Sequence, residues 1–198
     1  MTDFSAAPPP ATDDPPQNKE GCLLVVAHPR LDRSVVNTAL LDSLAGESFV
    51  EIHDLYETYP DYQIDVAAEQ ERLSQYAVIG LQFPLFWYSM PSLLKEWFDL
   101  VWLHGFAYGR GSSSLVGKRL FCAVSTGGDA RSYSAGGHNG YPIDDFMRPL
   151  ERTAALCQMH WARPHIVHDA PRMRGDRLSM AALAYHAYLR ERLAEAIR

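Results

Sequence analysis

The chain has no run of Lys and Arg. Its 18 basic residues are scattered among 24 acidic ones, for a formal net charge of −6. Neutralising a phosphate backbone requires a basic face, so nucleic acid is excluded as a main partner. Long apolar runs are also missing. No stretch approaches the roughly 20 residues that span a bilayer, and the N-terminus lacks the basic and apolar regions of a secretory signal. A soluble, cytoplasmic protein is expected. Cysteine is scarce: Cys22, Cys122 and Cys157 form an odd set within apolar runs and without C-x-x-C spacing. That pattern fits buried thiols in a reducing compartment, not disulfides or a metal site. There is no internal repeat.

What is present is ordinary globular material: 198 residues, 47% hydrophobic and 21% charged, enough for one domain with a substantial core. Residues 1–20 hold five of the thirteen prolines and too little apolar surface to offset their ordering entropy, so a disordered tail is expected there, followed by one domain over 21–198. From Cys22 onward strand and helix patterns alternate. Strands are expected at Cys22–Ala27, Phe49–Leu55, Ala77–Phe83, Arg119–Thr126 and Ala162–His168. Helices are expected at Ser34–Ala45, Asp65–Gln75, Ser92–Leu103, Asp144–Met159 and from Asp176 onward. Strict alternation implies a parallel sheet with helices on both faces, an α/β three-layer sandwich with five strands in the order 2-1-3-4-5. Ligands of such sheets bind at the carboxyl ends of the strands, where strand order reverses.

The three loops at that reversal are chemically unusual. After the first strand come His28 and Ser34, with Ser34 placed to cap a helix whose free amides at Val35, Val36 and Asn37 make a phosphate site. The hydroxyl of Ser34, the amide of Asn37 and the imidazole of His28 are added donors. An ordinary N-cap beside a loop histidine fits the segment equally well. Neither G-x-G-x-x-G nor G-x-x-x-x-G-K-[ST] occurs there, which excludes a dinucleotide Rossmann turn and a Walker A loop.

After the third strand, Pro84 and Pro91 bracket an aromatic turn, Leu85, Phe86, Trp87 and Tyr88. This is a flat shelf whose amides face a planar, conjugated ligand, or else a set of core aromatics under a loop. After the fourth strand, Ser125, Thr126, Gly127 and Gly128 let backbone approach a ring edge and supply amide donors, unless the glycines serve the turn alone. Tyr133 and His138 follow outside any periodic element, a phenol and an imidazole able to stabilise an oxyanion and move a proton. His53, His104, His160, His165, His168 and His186 read as structural or exposed. His165 and His168 lie three apart on a strand pattern and face opposite ways, so no metal site is inferred.

Five segments in this order carry a family resemblance: LLVVAHP with Ser34-x-x-Asn37, LYETYPDYQIDVAAEQERL, QFPLFWYSMPSLLKEWFD, HGFAYGRGSSSLVGK, and STGG followed by Tyr133 and His138. The chain resembles the flavodoxin-like NAD(P)H:quinone oxidoreductases, and among them the ancillary subunits of glutathione-gated potassium efflux antiporters. The resemblance covers nearly everything after residue 20. It implies a homodimeric flavoprotein in which His28 and Ser34 to Asn37 hold the flavin phosphate. Pro84 to Tyr88 would pack along the ring, Ser125 to Gly128 would bind its edge, and Tyr133 and His138 would serve catalysis.

NAD(P)H would then be the electron donor and a quinone or related electrophile the acceptor, by two-electron hydride transfer. FMN is favoured over FAD, because the C-terminal extension of the larger animal reductases is absent; Ser125 stands where many relatives have threonine. The alternative the resemblance carries is a regulatory subunit that binds and activates a glutathione-gated potassium/proton antiporter, peripheral at the inner face of the cell membrane. Independently, the Ser92–Leu103 helix carries Leu93, Leu94, Trp97, Phe98, Val101, Trp102 and Leu103, more apolar surface than one sheet face covers, which points to a homodimer.

Overall fold

The computed structural model describes residues 19–111 and 114–196, so the expected tail lies outside the description except for Lys19 and Glu20, which open the first strand. Six strands, β1 (Lys19–Val26), β2 (Val50–Asp54), β3 (Tyr76–Pro84), β4 (Arg119–Ser125), β5 (His160–Trp161) and β6 (His165–Val167), form one sheet. All pairings are parallel, in the order β2-β1-β3-β4-β5, with β6 also on β4. The helices are α1 (Val35–Asp42), α2 (Leu55–Thr58), α3 (Val66–Ser74), α4 (Ser92–Val101), α5 (Ile143–Leu156) and α6 (Gly175–Ala196).

The order 2-1-3-4-5 is the expected one, with a correction at its fifth position. In place of one strand over Ala162–His168 there are two short pieces separated by Ala162, Arg163 and Pro164. Proline has no N–H for the ladder. The Arg163 carbonyl accepts instead from the Tyr188 hydroxyl of α6 at 2.7 Å.

Alternation along β1 sorts its side chains to two cores. Leu23, Val25 and Ala27 join the core that includes α3, α4 and α5, while Cys22, Leu24 and Val26 join the one under α1 and α6. Both faces are covered, which is why β1, β3 and β4 read as near-continuous apolar runs. The three cysteines are free and buried, and burial raises each thiol, Cys157 to about 11. Among the described residues no helix is long and apolar enough to cross a membrane.

The apolar surplus of α4 is not exposed. Leu93, Leu94, Trp97, Phe98, Val101 and Trp102 are all buried within this one chain. The helix packs into the core that β1, β3 and β4 share with its neighbours α2 and α3 and with the segment after it, whose Ala107 and Leu115 are buried there too. The Trp97 indole donates at 2.7 Å to Glu69, itself buried and bonded to His53 and Tyr59. The apolar argument for a dimer patch on α4 therefore fails.

Candidate functional site

The loops that follow β1, β3 and β4 meet at the carboxyl edge of the sheet. In the first, Ser34 is the N-cap of α1: its Oγ accepts from the Asn37 backbone amide at 3.3 Å and from Asn37 Nδ2 at 3.0 Å. Asn37 is 2% exposed and its Nδ2 also donates to Ser125 Oγ at 2.9 Å. The side-chain amide of Asn37, expected to face a ligand, is thus engaged inside the protein, because the end of β4 brings Ser125 to it.

Val36 is buried and Val35 partly exposed, so these two contribute backbone: neither amide has a partner among the described residues, as the first turn of a helix requires. His28 Nδ1 accepts from the Arg30 amide at 3.1 Å, which leaves the ring proton on Nε2 as a donor. Burial lowers its pKa below the usual imidazole value despite Asp54 and Asp32, so the ring is neutral at pH 7. Its ring stands 6.0 Å from that of Phe86, which ties the first loop to the second.

The second loop is a two-residue turn. Phe86 and Ser89 exchange backbone bonds, each 2.9 Å, around Trp87 at φ 47° and Tyr88 at φ 64°. Two left-handed positions in succession make a turn of the I′ kind, which normally takes Asn and Gly; side chains with a Cβ there cost roughly 1–2 kcal/mol each. The reading of these residues as core aromatics does not hold for Trp87, which is 94% exposed. Nor are all four amides available. Leu85 donates to the Ser125 carbonyl at 2.8 Å and Phe86 to Ser89, leaving those of Trp87 and Tyr88. Pro84 is buried as the last residue of β3 and acts as the base of the turn.

In the third loop Ser125 and Thr126 point inward. The Thr126 hydroxyl donates to the Gly128 carbonyl at 2.8 Å and lies 3.0 Å from His168 Nδ1. Neither Gly127 nor Gly128 has positive φ, so the backbone alone does not demand glycine. At Gly128 packing is tight: a Cβ would stand 3.2 Å from Ser132 Cβ and 3.3 Å from the Tyr133 ring, so either neighbour would have to give by a few tenths of an ångström. At Gly127 nothing lies within 4 Å of a Cβ, so its bareness leaves open room beside the strand end.

That room is a cleft of about 290 Å³ lined by Leu85, Trp87, Tyr88, Gly127, Gly128, Ser132, Tyr133, His138 and Asn139. It joins the second and third loops and both expected catalytic residues; His28 and the α1 cap adjoin it through Phe86 and Ser125 without lining it. Tyr133 packs edge-on to Phe146 at 5.9 Å and against His168 at 5.5 Å, and burial raises its pKa, so its phenol remains a donor. Tyr88 stacks on the same Phe146 at 5.3 Å. His138 is exposed, and among the described residues no hydrogen bond joins it to Tyr133. Sequence reasoning missed His168 and Phe146. His168 is half-buried behind Tyr133, where burial lowers its pKa. The strand-end rule, extended to the fifth strand, would have found it.

With this geometry in place, likeness to known proteins can be stated. A family model described as flavodoxin-like fold matches residues 21–189. The glutathione-regulated potassium-efflux system ancillary protein KefG of Pectobacterium atrosepticum is 46% identical over 173 residues, 87% of this chain and 94% of that protein. Among solved structures, general stress protein 14 of Treponema denticola in complex with FMN is 34% identical at TM-score 0.82, over 87% of this chain and 99% of that one. An NADPH-quinone reductase from P. pentosaceus is 34% identical at TM-score 0.79, over 85% and 97%.

Proposed function

The chain belongs to the flavodoxin-like fold family, and from that membership we propose that it binds FMN and reduces quinones or related electrophiles with NAD(P)H. The observation that carries this reading is the cleft itself: a bare Gly127 opposite an exposed, left-handed aromatic turn, beside a cap of hydrogen-bond donors. The open Gly127 and the exposed Trp87 serve no packing of the chain's own, and with the cap they suit a flat ring bearing a phosphate tail. The FMN complex and the NADPH-quinone reductase among its structural neighbours support the same assignment.

The residues present fit the group. Ser34, the amides of Val35 and Val36 and the Nε2–H of neutral His28 would hold the phosphate end. Trp87, with Phe86 beside it in the turn, would lie along the ring, with the amides of Gly127 and Gly128 at its carbonyl edge. Bound FMN would supply the redox chemistry, a two-electron passage from NAD(P)H to acceptor. The protein's share is orientation and charge: the Tyr133 phenol donates to an oxygen that gains negative charge, and exposed His138 at the cleft mouth exchanges the proton. The fit is to a single nucleotide, because the cleft and cap account for a ring and one phosphate.

A second reading, an ancillary subunit that binds a potassium efflux antiporter, is favoured by the 46% identity to KefG over nearly the whole of both chains. A homodimer belongs to the proposal through resemblance, since α4 buries its own apolar face. The test is anaerobic: FMN-loaded protein is mixed with NADPH or NADH, then with a quinone. Bleaching followed by rapid reoxidation is expected. An inert loaded protein that still co-purifies with an antiporter would leave the second reading in its place.

A further inference from the structure

Behind the donor cap runs a buried chain of side chains whose direction can be worked out from one fixed point. Gln82 Nε2 lies 3.1 Å from the backbone carbonyl oxygen of Asn37 and 3.4 Å from Asn37 Oδ1. A backbone carbonyl only accepts, so the NH₂ of Gln82 must face it, and Gln82 Oε1 is turned to Tyr185, whose hydroxyl donates at 2.9 Å. Burial holds the Tyr185 phenol protonated. With the NH₂ of Gln82 against it, the near side-chain atom of Asn37 is its oxygen. The Asn37 NH₂ is therefore directed at Ser34 Oγ (3.0 Å) and Ser125 Oγ (2.9 Å), one hydrogen to each.

Ser34 Oγ accepts a second bond from the Asn37 backbone amide, so both its lone pairs are filled and its own hydrogen can only be given away. Ser125 is 4% exposed, and its hydroxyl hydrogen has no acceptor among the described residues. Because one NH₂ reaches both oxygens, the two hydroxyls sit on the same side of Asn37, which lies in the first turn of α1. Arg30 is tied to Asp32 at 2.8 Å, and His28 is neutral.

We propose that Gln82 and Tyr185 are positioning residues that, by fixing the Asn37 amide, lock the Ser34 hydroxyl as a donor and leave the Ser125 hydroxyl its hydrogen to give, and so make the cap selective for an acceptor-only group, the dianionic phosphate monoester of FMN, over the neutral hydroxyl end of riboflavin. This rests on the flavin reading above. Recognition is by hydrogen-bond direction, and the selectivity originates on β3 and α6, one layer behind any atom that touches ligand. Without the chain, the Asn37 amide is free to turn its oxygen to the serines, which then donate to it and have lone pairs left to accept from a ligand.

The test is a pair of fluorescence-quenching titrations, with FMN and with riboflavin, on wild type, Gln82→Leu and Tyr185→Phe, each checked for a cooperative thermal transition. The readout is the ratio of the two dissociation constants. Wild type is expected to prefer FMN by about a hundredfold, two charge-assisted hydrogen bonds' worth. The preference should fall about tenfold in Gln82→Leu and by a smaller factor in Tyr185→Phe, with riboflavin affinity unchanged. Tyr185→Phe keeps the buried ring and stands in should Gln82→Leu not fold.

A wild-type preference retained in Tyr185→Phe and in folded Gln82→Leu overturns the proposal while the flavin reading stands. So does a parallel loss of both ligands, which marks a purely structural role, and so does a wild-type ratio near one. Wild type that binds neither flavin overturns both.

Discussion

The donor cap and the aromatic turn flank the same strand ends, yet in the cap Asn37 and Ser125 are 2% and 4% exposed within a closed set of bonds, whereas in the turn Trp87 is 94% exposed at φ 47°. The cap is assembled by folding: its bonds link α1, β3, β4 and α6 within the protein itself. The turn is held open by folding at a local cost, with Phe86 and Ser89 bonding each other while the two residues between them sit in a conformation that favours glycine. A preformed polar pocket reports on the stability of the whole domain; an exposed, strained shelf reports on what binds. Substitutions on the two sides should therefore separate stability from affinity.

The largest effect belongs to the cleft's donors. Tyr133→Phe and His138→Gln should each slow flavin reduction or quinone turnover by about ten- to a thousand-fold with FMN affinity little changed, as stopped-flow measurement of the two half-reactions will resolve. Next is Gly127→Val. A side chain at Gly127 meets no protein atom within 4 Å at its Cβ, so thermal stability should hold, while a ligand in the cleft loses its place and affinity drops by about a hundredfold.

Trp87→Gly should give opposite signs in two assays. Affinity should weaken by roughly 1–3 kcal/mol through the lost ring. The free chain should gain about 1 kcal/mol in chemical denaturation because glycine accepts the left-handed backbone. Loss of stability in that variant would return Trp87 to the core and erase the contrast.

The smallest effect is on the polar side. His28, His165 and His168 all have pKa values lowered by burial, so the unfolded chain binds more protons than the folded one below the ordinary histidine value of about 6.5. Stability is then full above that value and is lost as pH falls from it through the lowered folded values. Denaturation midpoints between pH 7.5 and 5 should fall accordingly, and less so in His28→Asn.

The sheet was legible because burial on both faces leaves an uninterrupted apolar record in β1, β3 and β4, and the α1 cap because Ser34 carries its own signal. What escaped depends on distant partners. Asn37 reads as a free donor until Ser125, 88 positions away, is placed against it. The apolar face of α4 looks uncovered until α2, α3 and the stretch holding Ala107 and Leu115 close over it. Pro164 was visible inside the fifth strand and its effect, a split edge, follows from chemistry known in advance. The left-handed backbone at Trp87 and Tyr88 leaves no mark in composition, since aromatics seldom adopt it, and His168 gains meaning only beside Tyr133 and Thr126.

The central claim, a flavin held between the aromatic turn and Gly127, is most directly tested by titrating the purified chain, stripped of any bound cofactor, into FMN and following fluorescence. Saturable quenching at about one flavin per chain, weakened about a hundredfold in Gly127→Val with the fold intact, is the expected result. No saturable quenching with FMN, and none with FAD, would contradict it.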